Sequence, residues 1–246
     1  MINMKKSKAI SQVNPIFLNG IAHRGLHNEE FTENGLKAFE NAINHGVAFE
    51  FDIHITTDGE LIVCHDEDLK RTTGKEGIIE HMTAKEIRDN YRLLDGGVVP
   101  TLQEVFDLNQ ERVPMVIELK VFEKNYKALA AKAKEAFKAI KDKRNAMIIS
   151  FDPRSLWPFK KEGFIRSLLV VKSDEYTWFF RHTVESVDLD MTLFEERRVR
   201  RYVKNHFTNA WTIEKEEHLN NMLPYVDTVT FQYLKPDLVK DKLNNK

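Results

Sequence analysis

An α/β barrel of the TIM-type (β/α)8 class, with a β-hairpin and a small insertion after its second strand, is the fold that three observations in the sequence predict. Short apolar runs alternate with amphipathic stretches along the chain, the pattern of parallel strands joined by crossover helices. Eight such runs occur, at 20–23, 47–52, 115–119, 146–151, 167–171, 187–190, 209–213 and 227–231. The length, 246 residues, suits one barrel domain over 1–246 and requires no second one.

The first run, Ile21-Ala22, leads into His23-Arg24, and Gly25 then allows a tight departure. A helix over 34–44 follows, with Leu36, Phe39, Ala42 and Ile43 on one face and Gly46 as its stop signal. The second run opens a hairpin around Asp58-Gly59, a strong turn signal. With Asp58 and Gly59 as a two-residue loop, Thr57 pairs with Glu60, Ile55 with Ile62, His54 with Val63 and Asp52 with His65. Alternation then sends Glu50, Asp52 and His65 to one side, and Phe49, Phe51, Ile53 and Cys64 to the other. If the Phe/Ile side packs under helices, the acidic side faces the barrel mouth, where such folds carry their reactive groups. An exposed hairpin with a polar outer face is the alternative.

Residues 66–100 break the alternation. They are charged, hold Gly74, Gly77, Gly96 and Gly97, and contain a short helical stretch at 83–89. This is the expected insertion, a lid or collar over one end of the barrel, although most long surface segments are neither. Beyond it, the run at 115–119 carries Glu118, with Lys120 two residues on and so on the same face. A carboxylate in an apolar run is costly unless paired or metal-bound, and a plain Glu118–Lys120 pair is one account of it. The helix expected over 123–143 has an apolar stripe of Tyr126, Leu129, Ala133, Phe137 and Ile140, with a lysine-rich face that reads as solvated rather than membrane-seeking.

With 42% hydrophobic and 30% charged residues, the composition is that of a globular protein with a sizeable core. A formal net charge of -1 and a pI near 6.8 give nothing that attracts nucleic acid, so no nucleic-acid partner is expected. Cys64 is the one cysteine, which excludes an internal disulfide and a thiolate-rich metal site and fits a reducing compartment. Residues 1–20 form no apolar signal core, and no run is long and uncharged enough to cross a membrane. The expectation is a cytoplasmic protein without a transmembrane segment.

Glu50, Asp52 and Glu118 together supply three hard oxygen ligands, a set suited to one divalent cation, Mg²⁺ or Ca²⁺. His23 and His65 can act as acid and base near neutral pH. Arg24 and Lys120 can hold an anionic substrate. Grouped at one mouth, these residues point to phosphoryl-ester chemistry.

In order and spacing, His23-Arg24-Gly25, Glu33-Asn34, Glu50-x-Asp52, Thr57-x-Gly59, His65-Asp66, Glu118-x-Lys120 and Trp211-Thr212 resemble the glycerophosphodiester phosphodiesterase family. The resemblance is most specific from Ile21 to Asp66 and weakens after Pro158. It implies metal-dependent hydrolysis of glycerophosphodiesters to an alcohol and glycerol 3-phosphate, with metal on Glu50, Asp52 and Glu118 and acid/base work on His23 and His65. It also implies substrate contacts from Arg24, Lys120 and Trp211; of these only Trp211 is added by the resemblance, since a lone tryptophan is more often core. The chain departs from the family pattern at Gly35, where a small hydroxyl residue is usual, at Glu214, often asparagine, and at Val229-Thr230-Phe231, usually more acidic. His27, His45, His54, His81, His182, His206 and His218 match no motif, and of these His54 shares a face with Asp52. The partner is thus a small-molecule or lysolipid phosphodiester. The alternatives are a lysophospholipase D-type enzyme and a non-catalytic barrel that binds anions.

Overall fold

In the computed structural model, which describes residues 4–172 and 174–246, nine strands form one sheet. They are β1 (Ile21–Ala22), β2 (Ala48–Ile55), β3 (Leu61–Val63), β4 (Met115–Leu119), β5 (Ala146–Ser150), β6 (Ile165–Val170), β7 (Ser186–Asp190), β8 (Phe207–Ile213) and β9 (Thr228–Phe231). Eight pair in parallel in the order β1-β9-β8-β7-β6-β5-β4-β2, and pairing of β1 with β2 closes the barrel; β3 runs antiparallel on β2. This is the expected barrel, with all eight apolar runs found as strands.

Strand alternation divides the core into layers. Phe49, Phe51 and Ile53 of β2 and Met115, Ile117 and Leu119 of β4 point outward and pack under helices, with Phe39 stacked on Phe49 at 4.9 Å. Their inward neighbours at the N-terminal end, including Ile21, Ala48, Val116, Met147, Ile165 and Phe207, form a separate apolar cluster. Ala9, Val13 and Phe17 join that cluster. The helix Met4–Ile10 and the 3-10 turn Pro15–Asn19 therefore cap the bottom of the barrel.

The hairpin corrects the expected register. Ile53 pairs with Val63, His54 with Ile62 and Ile55 with Leu61, one residue away from the sequence-based pairing. Thr56 N–H donates to Glu60 O (3.0 Å) and Gly59 N–H to Thr56 O (3.0 Å), leaving a three-residue loop of Thr57, Asp58 and Gly59. Gly59 has φ 81°, the left-handed residue such loops need. Asp52 is therefore opposite Cys64, whose N–H donates to its carbonyl at 3.2 Å, and not opposite His65. Cys64 correspondingly faces away from the Phe49 side, into a small apolar cluster with Ile62, Leu69, Ile79, Ile87 and Leu93.

That cluster is the core of the inserted segment, which contains helices Lys70–Thr73 and Ala84–Asn90. The second begins at Thr83 with a capping box to Glu86. The long helix expected over 123–143 is shorter: Tyr126–Ala136 is α-helical, Phe137–Ala139 tightens to 3-10, and Ile140 is extended. Lys143 Nζ takes the freed carbonyls of Phe137 (3.0 Å) and Ile140 (2.6 Å), which ends the helix in time for the turn into β5. Among the described residues no helix is long and apolar enough to cross a membrane.

Candidate active site

Inward positions at the C-terminal ends of β2 and β4 bring Glu50, Asp52 and Glu118 together. One oxygen from each lies within 4.8 Å of the others, and all three residues are buried. Parallel pairing sets Asp52 beside Glu118. Two cations answer them from separate strand ends: Lys120 Nζ lies 3.0 Å from Glu118 and 3.6 Å from Asp52, and Arg24 Nε lies 3.8 Å from Asp52.

The carboxyls respond unequally. Burial, with the charges of Asp52 and Glu118 beside it, pushes Glu50 well above the usual carboxylate range. Burial likewise raises Glu118 to about 7, with Lys120 opposing. Asp52 goes the other way: despite its burial, Lys120, His65 and Arg24 hold it well below its ordinary value, helped by Asn34 Nδ2 donating at 2.9 Å. Two cations thus do not fully offset three acids. Asp52 Oδ1 is buried with no hydrogen-bond partner, and Lys120 Nζ stands 3.6 Å from it, beyond hydrogen-bond reach. The all-oxygen set fits a hard divalent ion.

Arg24 is shaped by its backbone as well as its charge. Its φ is 53°, its N–H donates to Glu50 Oε2 at 2.9 Å and its guanidinium bonds Glu33 at 2.7 Å. Gly25 follows at φ 82°, where a Cβ would stand 2.9 Å from the Ala38 carbonyl carbon. The chain turns this sharply only with glycine there.

His23 follows β1 directly, and its Nδ1 is 2.7 Å from Gln232 Oε1. Gln232 Nε2 donates to Glu214 Oε1 at 2.6 Å, which fixes the amide orientation because a carboxylate only accepts. His23 therefore carries its proton on Nδ1 and a lone pair on Nε2. Burial first, and then Arg24, push its pKa down to about 4. His65 lies beyond the last residue of β3, where alternation no longer applies, and the charges of Asp52, Lys120 and Arg24 reach its ring. Its Nδ1 bonds Asp66 Oδ1 at 2.7 Å, and Arg71 holds Asp66 and Glu33 in turn. Burial lowers His65 and the Asp52 carboxylate opposes. The register expected for His65 is one residue off, which on strict alternation would turn it from Asp52, but the chain leaves the strand at Cys64 and the ring still feels the charges of Asp52, Lys120 and Arg24.

Trp211 is half-buried, edge-on to Phe151 at 5.9 Å, with its indole N–H unpartnered. His54 is a tether and lies outside this group: its ring bridges Glu80 of the insertion (2.5 Å) and the carbonyl of His65 (3.2 Å).

The model of the glycerophosphoryl diester phosphodiesterase family matches residues 23–243. The chain belongs to that family. A glycerophosphodiester phosphodiesterase of Caldanaerobacter subterraneus subsp. tengcongensis is 35% identical over 153 residues, covering 57% of this chain and 61% of the relative. One from Bacillus altitudinis is 33% identical over 149 residues, covering 57% and 60%. These alignments thus span about three fifths of each relative's length. Among solved structures, the family member from Thermotoga maritima is 26% identical with a TM-score of 0.72, covering 92% of this chain and 97% of that one. An Oleispira antarctica phosphodiesterase, solved in complex with the product sn-glycerol-3-phosphate, has a TM-score of 0.80 at 22% identity, covering 96% and 99%, a likeness of fold.

Two site contacts escape sequence reasoning. Gln232, 209 residues from His23, carries no charge to flag it, and it also lies 3.3 Å from His27 Nε2. Its partner Glu214 was visible only as a departure from the family pattern. At Gly35, another departure, a Cβ would sit 2.8 Å from Thr32 O, so the bend before helix Leu36–Asn44 excludes a side chain.

Proposed function

We propose that the chain is a metal-dependent phosphodiesterase that hydrolyses glycerophosphodiesters to an alcohol and glycerol 3-phosphate. The observation that carries this reading is the joining, at one mouth, of a buried three-carboxylate cluster having an orphaned oxygen with two histidines whose Nδ1 atoms are each tied back. The family and the Oleispira relative's product complex support it.

Glu50, Asp52 and Glu118 would hold the divalent ion, Mg²⁺ or Ca²⁺. Such an ion supplies Lewis-acid polarisation of a phosphoryl oxygen. Lys120 and Arg24 offset the charge that develops on the phosphoryl group, and the half-buried Trp211 ring would be a further substrate contact. Neutral His23, with its lone pair on Nε2, takes the proton of the attacking hydroxyl, which comes from water or from the substrate's glycerol. His65, backed by the Asp66 carboxylate, gives its proton to the departing alkoxide, and the two histidines exchange states over a turnover. The buried, free Cys64 fits a reducing compartment, so a cytoplasmic setting belongs to the proposal.

The test is release of glycerol 3-phosphate from glycerophosphoethanolamine and glycerophosphocholine with Mg²⁺ or Ca²⁺ added. No turnover of any diester with either ion would leave a non-catalytic anion-binding barrel as the better account.

A further inference from the structure

The end of the barrel opposite the mouth carries a cavity of about 370 Å³, at the small end of the range for ligand sites. Phe164, Glu185 and His206 line it, each the last residue before a strand, β6, β7 and β8 in turn, and Lys8 and Gln12 of the N-terminal segment close it from the side. Its charge is lopsided. Lys8, Lys160 and Arg181 line it too, and among the described residues no carboxylate pairs with any of these three cations. The acid in the described lining, Glu185, is already engaged by the buried Arg166, which donates from Nη2 to Oε1 at 2.7 Å and from Nε to Oε2 at 3.0 Å. That pair is neutral as a unit, so the cations stand unanswered in a protein whose formal net charge is -1. The surplus extends outward, because Arg181, Tyr202 and His206 are shared with an adjoining recess whose described lining adds Arg198 and Arg201 and no acid. Arg198 is held by Glu196.

Exposed lysines alone would be an ordinary solvated surface, and Arg181 is what gives this cavity a fixed shape. Its guanidinium lies over the Trp178 ring at 4.6 Å and the Tyr202 ring at 5.4 Å, and its Nη1 donates to Trp178 O at 2.8 Å. Nε is buried without a partner, and Nη2, neither bonded nor buried, keeps its hydrogens for a ligand. The ring beneath is fixed in turn: Tyr202 stacks on His206 at 3.7 Å, and His206 Nδ1 donates to Tyr202 O at 2.8 Å. A planar donor held in one orientation beside two ammonium groups matches the needs of a phosphoryl group, which takes directed bonds from arginine and point charge from lysine.

We propose that this cavity binds a phosphate dianion, either inorganic phosphate or the phosphoryl end of a small monoester. A phosphodiester group carries a single negative charge and would leave most of the surplus unanswered, whereas a monoester carries about -1.5 to -2 near pH 7. The cavity therefore suits the product class of the proposed reaction and not its substrate, and it lies across the barrel from the three acids. The binding claim stands whether or not any diester turns over at the mouth.

Calorimetry in chelator, with inorganic phosphate, glycerol 3-phosphate and dimethyl phosphate as probes, compares the unaltered protein with Lys160→Glu and with a Lys160→Ala, Arg181→Gln double variant. The mouth is the same in all three proteins, so any phosphate held there by Lys120 and Arg24 cancels in the comparison. The unaltered protein should take up one phosphate more than the double variant. Lys160→Glu, an exposed change that leaves Arg181 packed, should weaken that extra site about tenfold or more, the scale of one charge-assisted hydrogen bond. Equal isotherms for the three proteins up to about 10 mM phosphate overturn the site. Dimethyl phosphate, a monoanion, should bind there at least about tenfold more weakly than either dianion, and equal affinity overturns the dianion assignment. Glycerol 3-phosphate binding more tightly than inorganic phosphate marks a monoester as the ligand; the reverse order marks phosphate itself. With Mg²⁺ or Ca²⁺ added, initial-rate kcat/KM on a diester should be the same for Lys160→Glu and the unaltered protein. A fall in kcat/KM that parallels the loss of phosphate binding would place that phosphate at the mouth and overturn a second site.

Discussion

Along β2 and β4 the two ends of the barrel interior use neighbouring inward positions for opposite purposes. Ala48 and Val116 face the apolar cluster that Phe17, Val13 and Ala9 seal from below. Two residues further along the same strands, Glu50 and Glu118 face the mouth, with Asp52 beyond. About 7 Å of strand therefore separates an apolar seal from a set of acids of which two, Glu50 and Glu118, are pushed up by burial and by their neighbours' charge. The difference teaches that this barrel keeps the side chains that hold it together apart from those that would react, although both hang on the same backbone. The acids are tolerated because the lower end and the outer layer carry the stability.

The strongest way to break the contrast is at the mouth. Glu118→Gln should lower metal-stimulated turnover about 10³-fold, the scale on which one electrostatic contact in a preorganised site matters. It should leave the unfolding midpoint in chelator no lower than that of the unaltered protein, because one of three repelling acids is gone. Chelator should inactivate the unaltered protein to the same extent, and full activity of the variant would remove Glu118 from the metal site.

At the other end, Phe17→Ala should cost about 3 to 5 kcal/mol in urea unfolding, the usual penalty for a large buried aromatic. Below its unfolding transition, kcat should change less than about twofold, far short of the losses that follow removal of a reacting group. A large fall in kcat there would mean the two ends are coupled.

The histidine pair sharpens the mouth further. His65→Ala should cost about a hundredfold or more on a natural alkoxide leaving group and much less on a p-nitrophenyl ester, which needs little protonation. His23→Ala should harm both substrates alike. Equal losses on both substrates for both variants would make the histidines positioning groups for phosphate or metal.

The smallest effect concerns a buried acid that the mechanism does not use. Asp188 projects into the barrel beside Ser167, whose hydroxyl donates to it at 3.0 Å, and burial raises it to about 6. A raised pKa in the folded state means a stability contribution that is full below pH 4 and lost as pH rises through 6. Asp188→Asn escapes that loss, and its amide can donate to Asn209 Oδ1, which is buried without a partner. The variant should therefore exceed the unaltered protein by about 1 kcal/mol at pH 4.5 and by about 3 kcal/mol at pH 8, read from urea midpoints. The same difference at both pH values would show that Asp188 keeps one charge state throughout.

Much of this architecture was legible in the sequence, for reasons that can be named. β4 lies where its apolar run ends in Glu118, because a buried parallel strand is nearly continuous in hydrophobicity, and the acid trio follows from inward alternation on two adjacent strands. The hairpin register was not legible. Asp58-Gly59 marks a turn without fixing its length, and one extra loop residue moves every pairing by one. Asp58 is spent locally, accepting from Thr56 Oγ1 and the Ala84 N–H. Gln232 was invisible because its worth comes from a chain-distant neighbour and an amide has no periodicity signature. The helix expected to run through Lys143 was stopped by tertiary demand, since the stripe through Ile140 is buried as expected but in a different backbone conformation.

The ring of His54 gives the insertion a meaning for protein engineering. One side of the imidazole grips Glu80 and the other the peptide oxygen of His65, so the backbone at a proposed proton donor is moored to a segment that resembles a detachable decoration. Loop exchange between relatives is usually planned at exposed connections, and residues 66–100 invite such a cut. A graft that omits a carboxylate at the position of Glu80 would carry the barrel and all three acids intact and still deliver a drifting His65. Chimeras here must be cut as a unit that includes both His54 and its counterpart, or not at all.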